Sequence, residues 1–161
     1  MSSMMETVQS DQSGQNGVTQ FMQNVPHHCI KRMGGRPIVF EGSELAMAMS
    51  FSPAVPFWYE INLYRTKDQQ FVATVRLFFQ SAEKEDTVRG WECSSLEEAI
   101  EKLMHYDAAD DVRLSPNLAE GVATSAELAA GAMELRAQIK AHRNHYASLI
   151  GEFLYDLENG S

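Results

Sequence analysis

The sequence of 161 residues predicts an α+β fold: an antiparallel sheet of about four strands, a capped amphipathic helix and a long C-terminal helix. Three observations carry that reading. Apolar residues alternate with period two through 45–51, 57–64 and 71–79, as half-buried strands require. Ser95 and Glu98 then stand in capping-box spacing ahead of apolar residues at helical spacing. From Thr124 to Leu157 no proline interrupts a second helical pattern.

Residues 1–25 are rich in Ser, Gln, Met and Gly without a period, and are expected to form a disordered tail. A sheet-plus-helix domain is expected over 26–107, a connection over 108–124 and the long helix over 125–158. His27-His28-Cys29 reads as a solvated segment ahead of the first strand; adjacent side chains rarely converge on one metal ion. Met33-Gly34-Gly35-Arg36-Pro37 reads as a turn and lacks the ending of a phosphate-binding loop. Pro37–Phe40 is a short apolar run, and Gly42-Ser43 reads as a turn before the strand carrying Leu45, Met47, Met49 and Phe51. Ser52–Pro56 breaks that strand.

Phe57–Tyr64 and Phe71–Phe79 read as a hairpin. A three-residue loop, Lys67–Gln69, keeps like faces together and sets Phe57 opposite Phe79, Tyr59 opposite Leu77, Ile61 opposite Val75 and Glu60 opposite Arg76. Such a loop usually wants a glycine, and none is present. Thr87–Cys93 is the fourth strand expected. In the helix after Ser95, Leu96, Ala99, Ile100, Leu103 and Met104 share one stripe, and that helix is expected on the 57/59/61/63 face.

The last helix carries Leu128, Ala132, Leu135, Ile139, His142, Tyr146, Leu149 and Phe153 in alternating steps of four and three. Such a seam suits helix pairing, and a domain of this size cannot cover a helix on the order of 45–50 Å long. Part of the seam is therefore expected to meet a second copy, as a homodimer or higher homo-oligomer; the helix covers the other face of the sheet or reaches that second subunit, and the alternative is a helix packed fully on its own sheet.

The net charge of −9 disfavours a protein that coats duplex nucleic acid. Charge is uneven: residues 30–80 are net +2 and residues 81–161 net −9. Trp58, Tyr64, Arg76 and Phe78 share one hairpin face and make a candidate ligand face, aromatic and slightly basic. No apolar run is long enough to span a membrane, and the first residues do not resemble a secretory signal. Two cysteines, Cys29 and Cys93, make no disulfide framework, so a cytoplasmic setting is expected. His142 and His145 lack the acidic partner that a helical metal site would need, and no metal or other cofactor is expected. No catalytic motif stands out. The expected function is a non-enzymatic oligomer that binds another protein or peptide. A single-strand nucleic-acid binder using the aromatic face is the alternative. A small-molecule binder or enzyme with a pocket between sheet and helices, lined by Tyr59, Met47 or Cys93, is the third.

Overall fold

A computed structural model describes residues 25–113, 121 and 123–160. The tail expected over 1–25 lies outside the described residues except for Val25, and so does the stretch 114–120 of the connection. Five strands, β1 (His27–Ile30), β2 (Ile38–Met49), β3 (Phe57–Thr66), β4 (Phe71–Phe79) and β5 (Thr87–Cys93), form one antiparallel meander in sequence order. Helix α1 (Leu96–His105), a 3-10 turn (Ala108–Asp111) and helix α2 (Ser125–Asn159) follow. The α+β architecture is the one the sequence predicts.

Two readings of the N-terminal half are corrected. His27–Ile30 does not precede the first strand but forms it, pairing His27 with Glu41 and Ile30 with Ile38, while His27 and Cys29 stay exposed. Gly42-Ser43 is not a turn either, because β2 runs through it as one strand of 12 residues. Glycine is needed at 42 for close approach: a Cβ there would collide with the Arg65 carbonyl oxygen and lie 2.9 Å from Thr66 Cα. The strand coils at that point, and a bulge between Glu44 and Ala46 adds to the bend.

The β3–β4 pairing follows the expected register along its whole length, from Phe57 opposite Phe79 to Arg65 opposite Phe71. Gln69 takes the place of the missing glycine, with φ at 65°. Its amide donates to the Thr66 carbonyl at 3.0 Å, and Thr66 N donates to the Gln70 carbonyl at 2.8 Å. A side chain in that left-handed region is strained. Gln69→Gly is therefore expected to raise unfolding stability by about 0.5–1 kcal/mol, read by urea denaturation.

Both helices lie on the same face of the sheet, which corrects the expectation that α2 covers the opposite one. Tyr59, Ile61, Leu63, Val75 and Leu77 meet Ala99 and Leu103 of α1 together with Tyr146, Leu149 and Phe153 of α2 in a single core. The first helix lies over β4 and β5 and the long helix over β2 and β3, so the two share the face side by side. Arg143 of α2 clamps Asp107 with two hydrogen bonds of 2.9 and 2.8 Å, tying α2 to the start of the 3-10 turn. That clamp holds the Asp107 carboxyl down to about 2.

Part of the opposite face is covered by the sheet itself. The β1–β2 hairpin folds back so that Ile30 and Ile38, with Phe40, pack on Tyr64, Val72 and Val88. Met33 N donates to the Val88 carbonyl at 2.8 Å, and Arg32 Nη1 to the Gly90 carbonyl at 3.0 Å. The sheet thus curls until its first hairpin touches its last strand. Gly90 leaves the room for this, since a Cβ there would stand 3.3 Å from Ile38 Cδ1.

Candidate functional site

The apolar stripe of α2 divides along its length. His142, Tyr146, Leu149 and Phe153 are buried within the chain's own core, Leu135 and Ile139 are half-buried, and Leu128 and Ala132 are exposed. From Ser125 to Ala141 only Gly131 is buried. In α1, likewise, Ala99 and Leu103 are covered while Leu96 and Met104 are exposed.

The four residues of the candidate ligand face are also separated by the curl. Tyr64 is buried under the β1–β2 hairpin, its ring against Phe40 and His28. Burial pushes its hydroxyl pKa up, and nearby Arg76 partly offsets this. Trp58, Arg76 and Phe78 remain half-exposed, with Trp58 and Phe78 stacked at 5.5 Å. Phe51 packs edge-on against Trp58. Met47 and Met49 pair with Asn62 and Glu60, which places them on this same face. Met47, Met49 and Phe51 are about half-exposed, at 50%, 46% and 56%. The result is an apolar strip across β2, β3 and β4. Glu60 and Arg76 stand opposite one another in the register, yet Arg76 Nε is buried with no hydrogen-bond partner among the described residues.

The strip borders an open edge. β1 pairs with β2 only over Ile38–Glu41, so among the described residues Ser43–Met49 has β3 on one side and no strand on the other.

A second feature is a buried polar cluster between sheet and helices. Tyr59 Oη lies 2.8 Å from His142 Nδ1 and 3.2 Å from Asp111 Oδ2. Tyr106 also donates its hydroxyl hydrogen to Asp111 Oδ2. We assign the single Tyr59 hydroxyl proton to the carboxylate; His142 Nδ1–H then donates to Tyr59 Oη and Nε2 is left as an acceptor. Phe57 stacks flat on the imidazole at 3.8 Å. Burial, with Lys84 and His145 nearby, lowers the His142 pKa to about 4. Burial raises that of Asp111, against the opposing effect of its tyrosine hydrogen bonds and Arg89. The Asp111 side chain is fully enclosed, at 0% exposure, with Arg89 Nη2 3.8 Å from Oδ1. Asp111 Oδ1 and Arg89 Nε have no hydrogen-bond partner among the described residues. A cavity of about 450 Å³ opens beside the cluster, with Asp111, His142, Lys84, Arg113, Phe79 and Met33 among its walls.

Of the residues named from sequence for a pocket, Tyr59 lies in this cluster. Cys93 is packed in the core, its thiol pushed up to about 11 by burial, and Met47 sits on the opposite face of the sheet. Asp111, Arg89 and Tyr106 carried no local signal, because they are scattered over strand, helix end and connection. A polar His142 within an apolar seam was the one visible pointer. No group of three or more metal-ligating side chains converges among the described residues. No described helix is long and apolar enough to cross a membrane. No family model, no curated protein and no solved structure matches this chain.

Proposed function

We propose that this chain is a non-enzymatic interaction protein that works as a homodimer, two copies pairing along the open edge of β2. The observation that carries the reading is that edge, Ser43–Met49, bordered by exposed Met47 and Met49. Natural sheets guard free edges with lysine, proline or covering segments. This stretch has neither residue, and Glu44 is its one charge.

Antiparallel pairing about a twofold axis centred on Ala46 sets Glu44 opposite Ala48, so no like charges meet. The bulge at Glu44/Ala46 shortens the regular run and favours contact towards Met49. Joining the edges brings the two apolar strips side by side, and the combined face receives a partner protein. The nucleic-acid reading is less favoured, since Glu60 stands opposite Arg76 in the register beside Trp58 and Phe78.

The test is light scattering of the full chain at tens of micromolar. The wild type is expected as a dimer, and the Met47→Lys/Met49→Lys double variant as a monomer with an unchanged circular dichroism spectrum. A monomeric wild type overturns the proposal, including the case in which the β2 edge is protected from hydrogen exchange by the chain's own residues. A salt-sensitive change in Trp58 fluorescence with oligonucleotide would instead favour the nucleic-acid reading.

A further inference from the structure

We infer that residues 18–25, the segment just ahead of β1, act as a tethered competitor for the open edge of β2 and so restrain its pairing with a second copy. That the segment restrains a dimer rests on the function proposed above; that it lies on the edge does not.

The register of β1 sets the segment's course. β1 pairs antiparallel with β2, from Ile30 opposite Ile38 back to His27 opposite Glu41. The ladder goes on for one more residue, since Gly42 N donates to the Pro26 carbonyl at 3.0 Å. The chain ahead of Pro26 therefore begins beside Ser43. Continued in the same direction, it runs along Ser43–Met49, the stretch of β2 with no second strand among the described residues. Val25 precedes a proline, which favours extended backbone there.

Composition suits the same course. Gly17 and Pro26 bound a segment of eight residues, against seven along the edge. Val18, Thr19, Phe21 and Val25 favour strand, and none of the eight carries a charge to oppose Glu44 or Asp156. The continued register sets Phe21 and Met22 opposite Ala46–Ala48, and a shift of one residue at the Glu44/Ala46 bulge keeps them within that stretch. Neighbours in a strand point to opposite faces. One of the two thus meets Met47, and the other meets Ala46 or Ala48 over a cleft of about 410 Å³ walled by Phe153 and Leu157.

A segment tethered this closely competes at an effective concentration on the order of millimolar. Two features keep its hold weak enough for a second copy to displace it. Pro26 has no N–H to return the Gly42 bond, and the bulge interrupts the ladder.

Hydrogen exchange and sedimentation of the full chain test this together. Ser50 N donates to the Tyr59 carbonyl of β3, so alternation turns the Met47 and Met49 amides to the open side. At the lowest loading, where the chain is monomeric, these amides are expected to exchange about tenfold faster in Phe21→Ser/Met22→Ser than in the wild type. The same variant is expected to dimerise about tenfold more tightly. Met4→Ser/Met5→Ser, outside the segment, is expected to match the wild type in both. The inference is overturned if the two amides exchange equally in wild-type and Phe21→Ser/Met22→Ser monomers, if Met4→Ser/Met5→Ser speeds them as much, or if a wild-type dimer is not tightened by Phe21→Ser/Met22→Ser. Equal exchange beside a wild-type dimer contradicts the segment alone. Unequal exchange with both chains at 18.0 kDa at every loading contradicts the dimer and leaves the segment on the edge.

Discussion

Replacing Gly42 by alanine is expected to lower stability by about 1–3 kcal/mol, towards the upper end, and to loosen the β1–β2 hairpin from the sheet. The reason is local and steric. The added Cβ meets backbone on the neighbouring strand, the Arg65 carbonyl and Thr66 Cα, and not a side chain that could swing away. Gly42 N also donates to the Pro26 carbonyl at 3.0 Å, so a shift of this residue disturbs the entry to β1 as well. Beyond that point the hairpin places Ile30, Ile38 and Phe40 over Tyr64 and Val72, and these contacts depend on the coil. Urea denaturation measures the loss, and nuclear Overhauser contacts between Phe40 and Tyr64 report the loosening. Ser43→Ala, at the exposed neighbour, is expected to stay within about 0.5 kcal/mol of wild type. A Gly42→Ala protein as stable as wild type would show that the sheet does not coil there.

Acidification from pH 7 to pH 4 is expected to remove about 2–3 kcal/mol of stability through His142 alone. Its pKa is about 4 in the fold and 6.5 when the chain is unfolded. The unfolded chain therefore binds the proton first as the pH falls. Stability from this group is complete above 6.5, declines between 6.5 and 4, and levels off below. A tenfold difference in proton affinity is worth about 1.4 kcal/mol, which sets the magnitude. Buried beneath Phe57 and joined to Tyr59, the imidazole has Lys84 and His145 as its cationic neighbours, and Asp111 lies behind Tyr59. Asp111 acts in the opposite sense. Its raised pKa makes the folded state bind a proton more readily, so its contribution is full below the usual carboxylate value and is lost as the pH rises from there through the raised one. Subtracting the stability curve of His142→Asn from that of wild type isolates the histidine. The gap is expected to shrink steadily from pH 6.5 to pH 4. A gap that does not vary with pH would mean that His142 is not held neutral by the fold.

The sheet's middle was legible because strand periodicity and loop parity act locally. A three-residue loop keeps Tyr59, Ile61, Val75 and Leu77 on one side where a two-residue loop would mix the faces, so the register is readable from residue order. Gln69 shows how a loop without glycine can still form, at the cost of a left-handed side chain. The curl was not legible. It rests on two close approaches, Gly42 against β3 and Gly90 against Ile38, between residues far apart in sequence. For the same reason β1 was not legible as a strand, since His27, His28 and Cys29 carry no apolar run and only the pairing with β2 makes them one. The Asp111 cluster draws single residues from positions 59, 89, 106, 111 and 142, and no spacing rule joins them. The seam of α2 was visible as a pattern, but periodicity does not distinguish a surface that packs on its own sheet from one that meets another molecule. In the structure the C-terminal half does the first, and the half from Leu128 to Ile139 is left more open.

The proposed assembly rests on the strip of Met47, Met49, Phe51, Trp58 and Phe78, left partly uncovered on a single chain beside a β2 edge that pairs with no second strand among the described residues. Sedimentation equilibrium of the full chain over a range of micromolar loadings weighs that directly. A particle of twice the 18.0 kDa chain mass, dissociating on dilution and abolished by Met47→Lys/Met49→Lys, is the expected result. A particle of 18.0 kDa at every loading would contradict it.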